Sequence, residues 1–331
     1  MRVTNRMLSN NYLSDMRTNL TNMQKMQQQL SSGKEIRKPS DNPFKVARSM
    51  QLTSDMATNV QYNENIKDTI NWLDATDTGL GQVNESLQRI RELMVSSGNA
   101  AYGSDEKKAI KDEVNEKVSE IAQILNTNFD GRYIFGGTKT TSKPIKINTD
   151  ALSGNNTLAF SGKNGEDLPL NTGNVDIDAQ LDMIGAKMDV EVSQGVTMQY
   201  NVNAKDIVSF TSEKGKNINL MDLLGDIVNN LGSSNPADAD KLINENLEDI
   251  TTTVTNVLKV RAEVGAKQNR MDSAKDKNEE ENYNMTDILS KTEDIDITQK
   301  MMEYSMAQTV YTASLQTSAR IIQPSLMDFL K

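Results

Sequence analysis

The feature that most restricts this chain is an apolar stripe of unbroken 4-3 spacing: Ile243, Leu247, Ile250, Val254, Val257, Arg261, Val264, Gln268 and Met271. Residues alternately three and four apart fall on one side of an α-helix, and a stripe that narrow is a coiled-coil seam. The other end of the chain repeats the pattern. Leu13, Met16, Leu20, Met23, Gln27 and Leu30 follow it with one polar intruder, and Leu80, Val83, Leu87, Ile90 and Met94 follow it again. Isolated helices gain too little from propensity to persist in water. Helices from the two ends must therefore bury their stripes on each other or on neighbours.

Punctuation places the elements. The first helix stops at Ser31-Ser32-Gly33, and Pro39 and Pro43 enclose an extended loop. A long helix opens at Pro43, which suits a first helical turn, and reaches about Ser97 with a relaxation expected at Gly79 and Gly81. A shorter helix carries Ile110, Val114, Val118, Ile121 and Leu125. Its start at Ser104 lacks a full capping box, because Lys107 stands where Glu is wanted. Asp130-Gly131 signals a hairpin turn before the β-forming Tyr133-Ile134-Phe135. From about 139 to 220 the text is rich in Gly, Asn, Asp and Thr, with strands expected at 188–192 and 196–202. Helical patterning resumes at 221, and a last helix is expected over 284–320.

Composition removes most chemistry. The 331 residues include neither His nor Cys, which excludes a Ser–His triad, a thiol nucleophile, a zinc cage and the usual haem or Fe–S ligands. With 36 Lys+Arg against 46 Asp+Glu, the acidic balance argues against a nucleic-acid face. The first twenty residues carry Arg2, Arg6, Asp15 and Arg17 without an apolar core, so they do not read as a cleavable signal, and no stretch is apolar enough for a membrane span. An apolar share of 36% is thin for one compact globule of this length.

Single residues invite sharper readings. Lys34 after Ser32-Gly33 resembles a P-loop end, but Gln28 stands where the first glycine belongs. Residues 126–137 mimic a calcium loop with Asn126 first and Gly137, not Glu, twelfth; a β-turn fits better. Asp294 and Asp296 lie on different helix faces and suit a solvated stretch or helix start. Arg261 suits a salt bridge between helices. Gly265, inside a helix, suits a close approach, either within one chain or between subunits. The methionines at 16, 23, 26, 50, 56, 301, 302 and 306 suit an adaptable interface. A carboxylate hydrolase in the β-rich segment and an intracellular coiled-coil adaptor are the other classes the composition leaves open.

Four segments carry a resemblance. LSSGKEIRKPSDNPFKVARSM (30–50), NFDGRYIFGGT (128–138), VRAEVGAKQNRMD (260–272) and LQTSARIIQPSLMDFL (315–330) resemble flagellin-type proteins, and specifically the flagellar hook-associated protein 3 family. The resemblance covers about three-quarters of the chain and fades across 139–220. It implies a mainly α, flagellin-like fold with a β-rich insert, its terminal helical arms packed as long antiparallel coiled-coil rods. It further implies a non-enzymatic structural subunit with no cofactor, exported through the flagellar type III route with an export chaperone. Such a subunit forms a ring of identical copies between another hook-associated protein and the flagellin filament. It is expected to be a monomer before assembly, with arms that order as they assemble, and to bind neither nucleic acid nor membrane. A flagellin filament subunit is the alternative. RKPSDNPF, where flagellins usually carry a Pro-free version, and the ending SARIIQPSLMDFLK favour the junction protein.

The expected organisation is therefore 1–42 with 284–331 as assembly arms, 43–138 with 221–283 as a helical rod, and 139–220 as a variable outer domain. The assembly residues expected on the arms are Leu13, Met16, Leu20, Met23 and Leu30, with Met302, Met306, Val310, Leu315, Ile321, Ile322, Leu326, Phe329 and Leu330.

Overall fold

The computed structural model describes residues 5–98, 103–170, 174–233 and 235–321. Three helices open the chain: α1 (Asn5–Ser32), α2 (Pro43–Ser97) and α3 (Ser104–Leu125). Then come a hairpin of β1 (Asn128–Phe129) and β2 (Arg132–Tyr133), and strands β3 (Ile145–Thr149), β4 (Asn156–Ser161) and β5 (Asp167–Leu168). Helix α4 (Val175–Gly185), strands β6 (Asp189–Ser193) and β7 (Val196–Gln199), helix α5 (Ala204–Val208) and strands β8 (Ser209–Thr211) and β9 (Asn217–Asn219) complete the middle. Helices α6 (Leu220–Leu231), α7 (Pro236–Lys241), α8 (Leu247–Glu293) and α9 (Ile297–Ile321) close the chain, with a π-helical turn at Leu242–Asn246. The residues fall into two compact units, 1–59 with 280–331 and 60–279.

The unit of residues 60–279 holds the apolar core. Ile66, Leu73, Leu80, Val83, Leu87 and Ile90 of α2, Val114, Val118, Ile121 and Leu125 of α3, and Ile250, Val257, Val264 and Met271 of α8 are fully buried in one cluster. The 4-3 stripe of α8 thus faces inward over Ile250–Met271, while Ile243, at its start, is 40% exposed. The polar members of that stripe become ties. Arg261 grips Asp77 through two N–H···O bonds of 2.7 and 3.0 Å, and Gln268 donates to Asp74 at 2.7 Å. These pairings run α2 and α8 antiparallel. The Arg261–Asp77 pair is part-exposed and contributes only about 0.2–1 kcal/mol, so it sets register more than stability.

Helix α2 passes Gly79 and Gly81 without the expected relaxation. A Cβ at Gly79 would lie 3.1 Å from two ring atoms of the fully buried Phe135, so this glycine makes room for an aromatic ring. The same segment explains its own glycines. Asp130 and Gly131 both take positive φ (51° and 76°), the turn that matches hairpin twist. A Cβ at Gly136 would lie 2.5 Å from the Lys139 carbonyl oxygen, and one at Gly137 would meet the carbonyls of Met183 and Ile184. The motif is therefore a packing device that plants Phe135 between α2 and α3 and ties the end of α4 through Thr138 N–H to Met183 O at 2.9 Å.

The middle of the chain differs in detail from the simple β-rich expectation. Its strands form separate small antiparallel sheets, β3-β4-β5, β6-β7 and β8-β9, with two helices between them. The expected strand pair is present, Val190 opposite Met198, but β7 ends at Gln199. The asparagines that read as loop composition are helix caps. Asn174, Asn203, Asn219 and Asn235 each accept a backbone N–H at the start of α4, α5, α6 and α7.

Two helix ends also correct the expectation. At α3 the cap position is Gly103, one residue early, and Glu106 supplies the reaching carboxylate, accepting Gly103 N–H at 3.0 Å. The expected helix over 284–320 is two helices. Asp296 Oδ1 accepts the N–H groups of Thr298 and Gln299 at 2.9 and 3.1 Å, capping α9 and ending continuity with α8. Gly265 has open space where a Cβ would stand, so packing within the chain does not require glycine there.

Candidate assembly surface

In the unit of residues 1–59 and 280–331, α1 and α9 pair antiparallel. Tyr12 O–H donates to the Ser314 carbonyl near one end, and Ile295 N–H bonds Gly33 O at 3.0 Å at the other. The second contact belongs to a clamp. Gly33, at φ 71°, ends α1, and Lys34 and Asp294 form an antiparallel bridge. Glu293 then accepts from both Lys34 Nζ and Ser49 Oγ, and the bond Lys34 donates to it raises the Lys34 pKa above its ordinary value. The neighbouring loop is stiffened by Asp41, whose Oδ2 accepts from Arg37 and Lys38 N–H at 3.2 and 3.1 Å. Those bonds hold the Asp41 pKa below its usual range.

The helices meet along faces that the aliphatic pattern alone does not mark. On α1 the half-buried positions are Tyr12, Met16, Asn19, Met23, Met26 and Leu30, in 4-3 spacing. On α9 they are Lys300, Glu303, Tyr304, Ala307, Tyr311 and Ser314, continuing to the nearly buried Ser318. The expected α1 seam is thus turned by part of a residue: Met16, Met23 and Leu30 belong to it, whereas Leu13 and Leu20 flank it, 43% and 39% exposed. The reason is polar. Tyr12 can bury its ring and still bond a carbonyl, which no leucine offers.

What pairing leaves uncovered is the candidate surface. Met302, Met306 and Val310 follow at i, i+4 spacing on the side of α9 turned from α1, each about half exposed or more. Leu315 flanks them, as do Ile297, absent from the expected assembly set, and Met301, expected among the interface methionines but not in that set, all exposed. Their signal was available in the 297–301 spacing. Near the clamp Phe44 is 83% exposed and Met50 68%. The Ile321 side chain, with Ile322, Leu326, Phe329 and Leu330, lies outside the described residues. Monomeric proteins rarely leave runs of large apolar side chains in water unless something covers them. Among the described residues no cluster of acids could hold a metal ion, and no helix is long and apolar enough to cross a membrane.

Helical arms paired antiparallel, with apolar side chains left exposed on them and no cluster of acids for a metal among the described residues, define a helical structural protein. The comparisons with known proteins supply the particular family. Residues 3–140 match the bacterial flagellin N-terminal helical region, and residues 247–330 match the bacterial flagellin C-terminal helical region. The chain belongs to the bacterial flagellin family. It is 25% identical over 322 residues to flagellin of Bacillus subtilis (strain 168), covering 95% of this chain and 94% of that protein. It is 24% identical over 314 residues to flagellar hook-associated protein 3 of Escherichia coli (strain K12), covering 92% of each. The crystal structure of flagellar hook-associated protein-3 from Legionella pneumophila superposes with a TM-score of 0.57 at 14% identity, covering 77% of this chain and 99% of that one. The chain is a structural component of the bacterial flagellum, and within its family it resembles hook-associated protein 3.

Proposed function

We propose that this chain forms the junction between the flagellar hook and the flagellin filament, as a ring of identical subunits joined through the outer sides of its terminal helices. The observation that carries the reading is the exposed row Met302, Met306 and Val310 on α9, with Leu13 and Leu20 on α1. Covering them with the arms of neighbouring copies would stabilise a ring by roughly 1.5–3 kcal/mol for each large side chain fully buried. Leu315, Ile321, Ile322, Leu326, Phe329 and Leu330 extend the same set. Residues 1–42 with 284–331 then serve as assembly arms, 43–138 with 221–283 as the helical rod, and 139–220 as the outward domain. Another hook-associated protein lies on the hook side, flagellin lies on the filament side, and a chaperone holds the arms apart during type III export.

The filament-subunit reading draws on the full-length likeness to the Bacillus subtilis flagellin. The RKPSDNPF loop and the SARIIQPSLMDFLK ending favour the junction. Purified protein added to hooks bearing the preceding hook-associated protein separates the two. Electron microscopy should show a short cap of fixed length at the distal tip, from which added flagellin then grows. Indefinite growth of this chain alone would make it a filament subunit, and bare tips would remove the junction reading.

A further inference from the structure

The unit of residues 60–279 carries a second candidate surface, unconnected with the arms. A cleft of about 650 Å³ opens between α2, the β1–β2 hairpin and the β6–β7 hairpin. Trp72 lines it at 7% exposure, and Phe129 and Tyr200 each meet the indole edge-to-face, with ring centroids 6.3 and 6.0 Å away at 90° and 83°. Asp68, Asp130 and Asp189 stand around these rings with a single base, Arg132. None of the four is in an ion pair among the described residues, although many other exposed charges of the chain are paired. The indole N–H is buried and has no acceptor among the described residues.

Each element of this arrangement asks for the same ligand. Aromatic faces present negative potential and attract a cation, most strongly at tryptophan. Three carboxylates against one guanidinium leave the rim negative, which favours a cation over an anion there. The acids do not converge into a group that could chelate a metal ion. A planar guanidinium suits the space better than an ammonium, because it can stack on a ring while its N–H groups fork onto carboxylates. We propose that this cleft receives an arginine side chain from an adjoining polypeptide, a contact separate from the apolar surface of the arms.

Trp72 is the chain's single tryptophan, so intrinsic fluorescence of the full chain reads this cleft without a label. Titration with N-acetyl-arginine amide should change the emission saturably, with half-saturation on the order of millimolar for one side chain. N-acetyl-glutamine amide should give no saturable change over the same range. Asp68→Asn and Asp189→Asn sit at exposed positions and should leave far-ultraviolet circular dichroism unaltered. Combined, they should weaken the arginine response about tenfold or more, and raising the salt from 0.1 to 0.5 M should weaken it as well. Equal responses to the two amides, no saturation with arginine, or full affinity in the folded double variant would each overturn the proposal.

Discussion

Met302→Asp combined with Met306→Asp is expected to abolish ring formation while leaving the monomer folded as before. Both side chains are more than 60% exposed, and exposed substitutions away from special features usually change stability by no more than about 0.5 kcal/mol. The thermal midpoint and helical circular dichroism of the monomer should therefore be unchanged within error. Assembly is a different matter. Losing two buried methionines removes about 3–6 kcal/mol from each subunit contact, or about 100-fold to 10,000-fold in contact affinity, before the added penalty of burying carboxylates. Leucine at both positions keeps volume and apolarity and should preserve assembly. Leu152→Asp, at a residue 98% exposed in the middle of the chain, is the matched control and should have no effect. Tip decoration of isolated hooks, counted by electron microscopy, gives the comparison. Normal decoration by the double Asp variant would take these methionines out of the contact.

Amide hydrogen exchange of the monomer is expected to divide the chain sharply. In the unit of residues 60–279 the inward faces of α2, α3 and α8 are lined by side chains with no exposure at all. Helices α1 and α9 bury almost nothing completely. Among their described side chains the most enclosed are Gln29 and Ser318, at 8% and 9%, and their shared half-buried face is mostly Tyr, Met, Asn, Ala and Ser, with Leu30 its one branched aliphatic. Local opening free energy follows buried apolar contact. Amides in 5–32 and 297–321 should thus exchange on the order of 100-fold faster than those in 66–94, and should become protected in the assembled ring. This is the expected signature of arms that order as they assemble. Equal protection in the two regions of the monomer would show that the arms need no partner.

Much of this was legible in the residues. Gly33 and Pro43 mark the end of α1 and the start of α2, because a left-handed backbone and a missing N–H are requirements that only a few residues meet. The Ile250–Met271 stripe names its own buried face, since a 4-3 pattern of aliphatics in a helix has one place to go. The α1 seam was harder. The rows 13-16-20-23-27-30 and 12-16-19-23-26-30 share three members and differ by a small rotation, so which is inward depends on the partner helix. The Tyr304, Ala307, Tyr311 and Ser314 face of α9 accepts Tyr12 and Asn19 and leaves the leucines outside. Helices α4 and α5 were hidden for another reason. They are short, and the Asn caps that begin them share their composition with turns. Gly79 could not announce its role either, since the ring that requires it is Phe135, far along the chain. The Trp72 cleft joins residues from three separated segments, and no spacing rule reaches across such gaps.

Immunogold labelling of intact flagella, with antibody raised to the 139–220 region that the proposed function turns outward, tests the central claim most directly. The junction account predicts gold in a single narrow band where the curved hook meets the filament, one band per flagellum. Gold distributed along the filament would show a filament subunit instead, and unlabelled flagella in cells that express the protein would contradict a place for this chain in the finished structure.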